Sequence, residues 1–177
     1  EESQAVLRKF PKLNVVFAHF YFLSADLDGA AGMLDTFPHV CFDVTPGSEM
    51  YYSFSAKRDA WREFFVTYQD RIVFGTDNVA RDNELIDWGV KNVARVRTFL
   101  ETDDAFSGPG LSLNREVLEK IYHGNFERIT GTAPREADVA GLVAQAAILL
   151  ERTAGNEAYK QSAEQIRTVL RKLERLV

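Results

Sequence analysis

His19 and Asp77 are the two residues whose type and place could carry chemistry. His19 closes the apolar run Asn14-Val15-Val16-Phe17-Ala18, and Asp77 closes Arg71-Ile72-Val73-Phe74 after Gly75 and Thr76. In parallel α/β folds, active sites are built at the carboxyl ends of the strands. A neutral imidazole and a carboxylate arriving there from different strands both offer lone pairs to a divalent cation such as zinc or manganese. A carboxylate beside such a metal can also take a proton from bound water, whose pKa the metal lowers. Each residue has a plainer reading: a histidine merely hydrogen-bonded at a strand end, and an aspartate capping the next helix. Asp43 is the third candidate. It precedes Thr45-Pro46-Gly47, where it could bind substrate or bond loop amides. Tyr51, Tyr52 and Phe54 could wall a pocket or pack on a helix. His39, ahead of a strand, belongs at the opposite face, and His123, on a helix, is a surface or packing residue.

The elements that must hold these groups alternate between short β-branched runs and longer helical patterns, the pattern of a parallel sheet covered by helices. A helix over 2–10 leads through Pro11 to the strand 14–18, and a helix near 26–37 follows. The second strand is Val40-Cys41-Phe42-Asp43-Val44; a loop rich in Tyr and Ser then leads to a helix over 60–68. The third strand is 71–74 and is followed by a helix over 82–100. These strands are near-continuous apolar runs, as in a sheet buried on both faces. Gly75 permits close backbone approach beside Asp77. Gly and Pro make 103–112 a loop, and Asn114 caps a helix running to about 126. From Pro134 the character changes to two helices, 136–153 and 157–176, the second with Ile166, Val169, Leu170, Leu173 and Leu176 in one apolar stripe.

With 177 residues, 46% of them hydrophobic, the chain can bury a core, which excludes a wholly disordered chain. Its net charge of −5, spread without basic blocks, argues against nucleic acid as a partner. No apolar run approaches the roughly 18 residues that span a bilayer. The single Cys41 lies in an apolar run without a second cysteine to pair with, which suits a buried thiol in a reducing, cytoplasmic compartment. The chain opens without Met and directly in an amphipathic pattern (Ala5, Val6, Phe10), so an upstream portion is expected.

Phe10-Pro11-Lys12-Leu13-Asn14-Val15-Val16-Phe17-Ala18-His19 resembles the sixth strand, with its histidine, of the amidohydrolase-related (amidohydrolase 2) metal-dependent hydrolases, which have a TIM-barrel fold. Phe42-Asp43-Val44-Thr45 is similar to the seventh strand, and Arg71-Ile72-Val73-Phe74-Gly75-Thr76-Asp77 to the eighth. Ile121-Tyr122-His123-Gly124-Asn125-Phe126-Glu127-Arg128-Ile129 looks like the closing helix. The resemblance covers about 1–135 and leaves 136–177 as a helical extension. It implies the last three strand-and-helix units of a (β/α)8 barrel, with Asp77 as metal ligand and proton acceptor. His19 would polarise substrate or water, or ligate a second metal. The resemblance also implies a small-molecule substrate whose C–N, C–O or lactone bond is cleaved by metal-activated water, with His19 stabilising the oxyanion; decarboxylation of an aromatic acid is the alternative on that scaffold.

Two departures from the family pattern stand out. The first-strand His-x-His pair and the fifth-strand histidine would precede residue 1, and Phe20, Tyr21 and Phe22 stand where glycines often follow the sixth-strand histidine. A whole barrel takes about 250 residues, so the chain alone is expected to be inactive. The rival reading is a non-enzymatic α/β domain whose striped last helix, 157–176, makes a homo-oligomer or docks a partner, against the plainer view that the stripe packs on the barrel.

Overall fold

A computed structural model describes residues 2–47, 49–78, 83–134 and 136–176, which form two compact units, 1–132 and 133–177. The first is mixed α/β, the class the alternation predicts. In chain order it holds helix α1 (Glu2–Lys9), strand β1 (Val15–Phe17), α2 (Leu27–Thr36), β2 (Val40–Asp43), α3 (Met50–Ala56), α4 (Arg58–Thr67), β3 (Ile72–Val73) and α5 (Asn83–Glu101). A two-stranded hairpin, β4 (Asp104–Ala105) and β5 (Gly108–Pro109), then leads to α6 (Arg115–Glu119) and α7 (Asn125–Thr130). The strands form one parallel sheet in the order β1-β2-β3, with Val16 opposite Cys41, Phe42 opposite Ile72 and Asp43 opposite Val73. Parallel strands put all three carboxyl ends at one edge of the sheet. β2, in the centre, has Val40, Cys41 and Phe42 all buried, which explains its unbroken apolar run. β1 is an edge strand, and its Val16 is 40% exposed.

The core beneath the sheet is aromatic. α4 places Trp61, Phe64 and Phe65 on one face by their i, i+3, i+4 spacing, and all three are buried. α2 contributes Ala30, Met33 and Leu34, its start held by Asp26, whose side chain accepts from the Gly29 amide at 2.9 Å. Two segments read as loops from sequence are structured. Residues 50–56 form α3, because Tyr51, Phe54 and Ser55 find buried places that local propensity does not reveal. Residues 104–109 form the β4–β5 hairpin.

The outer edge of β3 is closed by a helix. Val73 accepts from the Val44 amide at 3.0 Å, so the groups of its neighbours face away from β2. The Phe74 amide donates to the Ile121 carbonyl at 2.9 Å, and the Asn125 amide donates to Ile72 O at 2.8 Å and Gln69 O at 2.7 Å. Ile121 lies in a π-helical turn, Lys120–Gly124, between α6 and α7. The expected single helix from Asn114 to about 126 is therefore α6, a π turn and α7 ending at Thr130, with Asn114 capping it as anticipated through Val117 N at 3.0 Å. A π turn shifts the backbone bonding by one residue and can release a carbonyl to an outside donor.

The second unit is a pair of helices, α8 (Val139–Thr153) and α9 (Lys160–Leu173), each shorter than the sequence pattern predicts. Asp138 caps α8 through the Gly141 amide at 2.8 Å. Small buried residues, Ala146 on α8 and Ala163 on α9, line the pair. Along the predicted stripe Ile166, Leu170 and Leu173 are half-buried, whereas Val169 and Leu176 are exposed. No described helix is long and apolar enough to cross a membrane. The first position of the predicted 82–100 helix, residue 82, lies outside the described residues.

Candidate functional site

His19 and Asp77 both follow strands that end at the same sheet edge, and both have left-handed backbone, with φ of 53° at each. Non-glycine residues are uncommon there because Cβ crowds the backbone. At His19 the conformation continues: Phe20, Tyr21 and Phe22 have φ of 54°, 53° and 58°. Glycine would adopt such a turn freely. Here Phe20 compensates as an anchor. Its ring is fully buried, within 4.8 Å of Phe42, 5.0 Å of Phe54, 5.6 Å of Trp61 and 5.7 Å of Phe64 and Phe65, centroid to centroid. Tyr21 packs against Phe17 with its ring tilted and shares a hydroxyl hydrogen bond with Ser3 of α1, while Phe22 is 81% exposed.

Asp43 joins two strand ends. Its Oδ1 accepts from the His19 amide at 2.9 Å and from the Thr45 amide at 3.0 Å. The His19 ring in turn meets the Thr45 carbonyl through Nδ1 at 3.3 Å. Gly75 brings the β3 end against this group: a Cβ there would stand 2.2 Å from Thr45 Oγ1 and 3.2 Å from Asp43 Oδ2. Of the two sequence readings of Asp43, amide bonding is what its Oδ1 does. Asp77 is exposed, and no hydrogen bond or ion pair among the described residues holds it. The helix it was weighed as capping begins, among the described residues, at Asn83.

The aromatics after β2 divide. Tyr51 and Phe54 are buried, whereas Tyr52 is half-exposed and meets Phe106 of the hairpin edge to face. Tyr51 donates to Val44 O at 2.5 Å; burial first, then the Asp43 and Tyr122 charges, push its phenol above the usual range, so it stays a neutral donor. A cavity of about 260 Å³ opens beside Pro46 and Gly47, walled by Tyr52, Trp88 and Phe106, with Arg95 over the Phe106 ring at 5.4 Å. His39 sits at the amino end of β2, its carbonyl accepting from Val15, and His123 is exposed between Glu119 and Glu127.

Comparison with known proteins fits this arrangement. The model of the amidohydrolase family (amidohydrolase 2) matches residues 1–131, three-quarters of the chain. The chain belongs to the amidohydrolase family. No curated protein and no solved structure matches it. Amidohydrolases generally use divalent metals. Among the described residues, however, no group of three or more His, Cys, Asp or Glu side chains could hold a metal ion, so His19 and Asp77 do not by themselves make a metal shell.

Sequence reasoning missed three parts of this site. The left-handed turn after His19 carries no glycine to announce it. The Thr45 peptide acts through backbone groups, which every residue has. Asn125 stands within the segment read as the closing helix, and its two carbonyl partners, Ile72 on β3 and Gln69 in the turn before it, are 53 and 56 positions away.

Proposed function

We propose that β1, β2 and β3 are the sixth to eighth strands of an amidohydrolase TIM barrel that hydrolyses a C–N, C–O or lactone bond of a small-molecule substrate. The observation that carries this is the family match over 1–131 together with His19 and Asp77 at the carboxyl ends of two parallel strands in one sheet. Left-handed backbone at both residues supports it, because conformations of this cost persist most often where a side chain must be aimed.

Hydrolysis at a carbonyl needs an acceptor for the proton of the attacking water and a polar group facing the reacting carbonyl. Asp77, exposed and without a hydrogen bond among the described residues, is the acceptor; His19, half-buried and held at the mouth of β1, is the facing group. A divalent metal ion, where bound, would lower the pKa of an attacking water, and Asp77 and His19 would contribute to holding it; among the described residues they do not complete its shell. With one three-stranded parallel sheet and two candidate donors among the described residues, the chain is expected to need further strand units for turnover. The reading carries a cytoplasmic setting, to which the single buried thiol of Cys41 is suited.

Complementation tests it. The chain is refolded with a polypeptide carrying the first five strand units of an amidohydrolase and is supplied with zinc or manganese. It is then assayed on a panel of amides, esters and lactones. Turnover is expected only in the mixture, and it is lost in Asp77→Asn and His19→Ala. Metal-dependent turnover by the chain alone refutes its incompleteness, and turnover indifferent to both substitutions refutes the site.

A further inference from the structure

We propose that Asp43 is a positioning residue that, together with the Thr45 peptide, fixes His19 in the Nδ1–H tautomer, so that Nε2 is the nitrogen the site offers. A single oxygen, Asp43 Oδ1, accepts from the amides of His19 and Thr45 at 2.9 and 3.0 Å. The Thr45 carbonyl stands 3.3 Å from Nδ1 of the His19 ring. A carbonyl oxygen has no proton to give, so Nδ1 is the donor; a neutral imidazole has one N–H, which leaves the lone pair on Nε2. Backbone and ring of His19 are thus tied to the same three-residue segment.

That segment is itself held from three sides. Thr45 is buried, the Val44 amide donates to Val73 O at 3.0 Å, and Val44 O accepts from the buried Tyr51 hydroxyl at 2.5 Å. From β3, Gly75 approaches so closely that any Cβ would overlap Thr45 Oγ1. The inference rests on the proposed function only in treating His19 as a working residue. Within that reading it narrows the role: neutral His19 accepts a proton or lends a lone pair at Nε2. It can donate to a developing oxyanion only after a proton has arrived there. Asp43 serves as a hydrogen-bond acceptor, so Asn, which keeps Oδ1, should replace it and Ala should not.

The test is the tautomer, read with ¹⁵N-labelled histidine by long-range ¹H–¹⁵N correlation, at a pH well above the ordinary imidazole pKa of about 6.5. The chain has three histidines, and His19 is assigned by the signals lost in His19→Gln. Wild type is expected to show Nδ1 protonated and Nε2 bare, and Asp43→Asn to keep that pattern. Asp43→Ala should lose it, moving both nitrogens toward the averaged shifts of a free ring. A wild-type His19 protonated at Nε2 overturns the proposal without any variant, as does a folded Asp43→Ala that keeps Nδ1–H. If Asp43→Ala does not fold, wild type and Asp43→Asn decide, since Nδ1–H must hold in both. Neither substrate nor metal enters the measurement, so failure here leaves the hydrolase reading standing, and failure of that reading leaves the tautomer untouched.

Discussion

Replacing Phe20 by Ala tests the claim that burial of one ring holds the His19 turn in a backbone conformation its residues disfavour. Left-handed backbone costs about 1–2 kcal/mol per non-glycine residue. Four such residues in succession, His19 to Phe22, therefore carry about 4–8 kcal/mol. Phe20 is the fully buried member and touches five aromatic rings, whereas Phe22 is 81% exposed. Core Phe→Ala substitutions cost about 3–5 kcal/mol, and Ala relieves little of the strain because it keeps a Cβ. The expected loss in unfolding free energy is about 4 kcal/mol, a large share of the 5–15 kcal/mol typical of a domain.

Urea titration followed by tryptophan fluorescence measures it, since Trp61 is buried 5.6 Å from the Phe20 ring. Phe22→Ala, in the same turn but exposed, is the control and should shift stability by no more than about 0.5 kcal/mol. A loss below about 1 kcal/mol for Phe20→Ala, against the cavity cost expected of a core ring, would falsify the anchoring argument; equal losses for the two variants would show that the turn is held some other way.

Three further outcomes follow from the packing around the strand ends. Gly75→Ala puts a Cβ 2.2 Å from Thr45 Oγ1. It should cost about 1–3 kcal/mol by overpacking, and adding Thr45→Ala should restore most of the melting temperature; no recovery in the double variant contradicts the clash. Asn125→Ala leaves Ile72 O and Gln69 O without their donor at a site where Asn125 is 2% exposed. A loss of about 1–3 kcal/mol is expected by denaturant titration, and a neutral result means that the β3 edge is satisfied by other means. His123 is raised above the ordinary imidazole value by its hydrogen bond to Glu119 and then by Glu127. A raised folded-state pKa gives stability that is fully present below the unfolded value and is lost as pH rises through the folded one. Melting temperatures of wild type and His123→Gln should therefore differ most just below pH 6.5, the unperturbed value, and converge in alkali; a difference independent of pH argues against a contribution from the His123 pairing with Glu119 and Glu127.

Sequence alone determined the class and the order of the parts. Val15–Phe17, Val40–Asp43 and Ile72–Val73 are strands in apolar runs, and Asn114 caps its helix. Gly75 stands where two strand ends crowd together. Those features are local: period, propensity and capping act within a few residues, so they survive in a string of letters. The same local pattern put His19 and Asp77 at strand ends, as Ala18-His19 and Gly75-Thr76-Asp77, and the family resemblance added the roles expected of them.

Tertiary structure alone decided how the site is held. Three aromatics after His19 give no sign of left-handed backbone, because the burial that sustains it comes from α3, α4 and β2. Met50–Ala56 became helix because Tyr51 and Phe54 found the core, and the π turn at Lys120–Gly124 places Ile121 O where the Phe74 amide needs an acceptor. Asp43 read equally well as a substrate contact or an amide ligand, since the donors that distinguish the two include one 24 residues away. Such partners are chosen by chain packing, and no window along the sequence contains both ends of the bond.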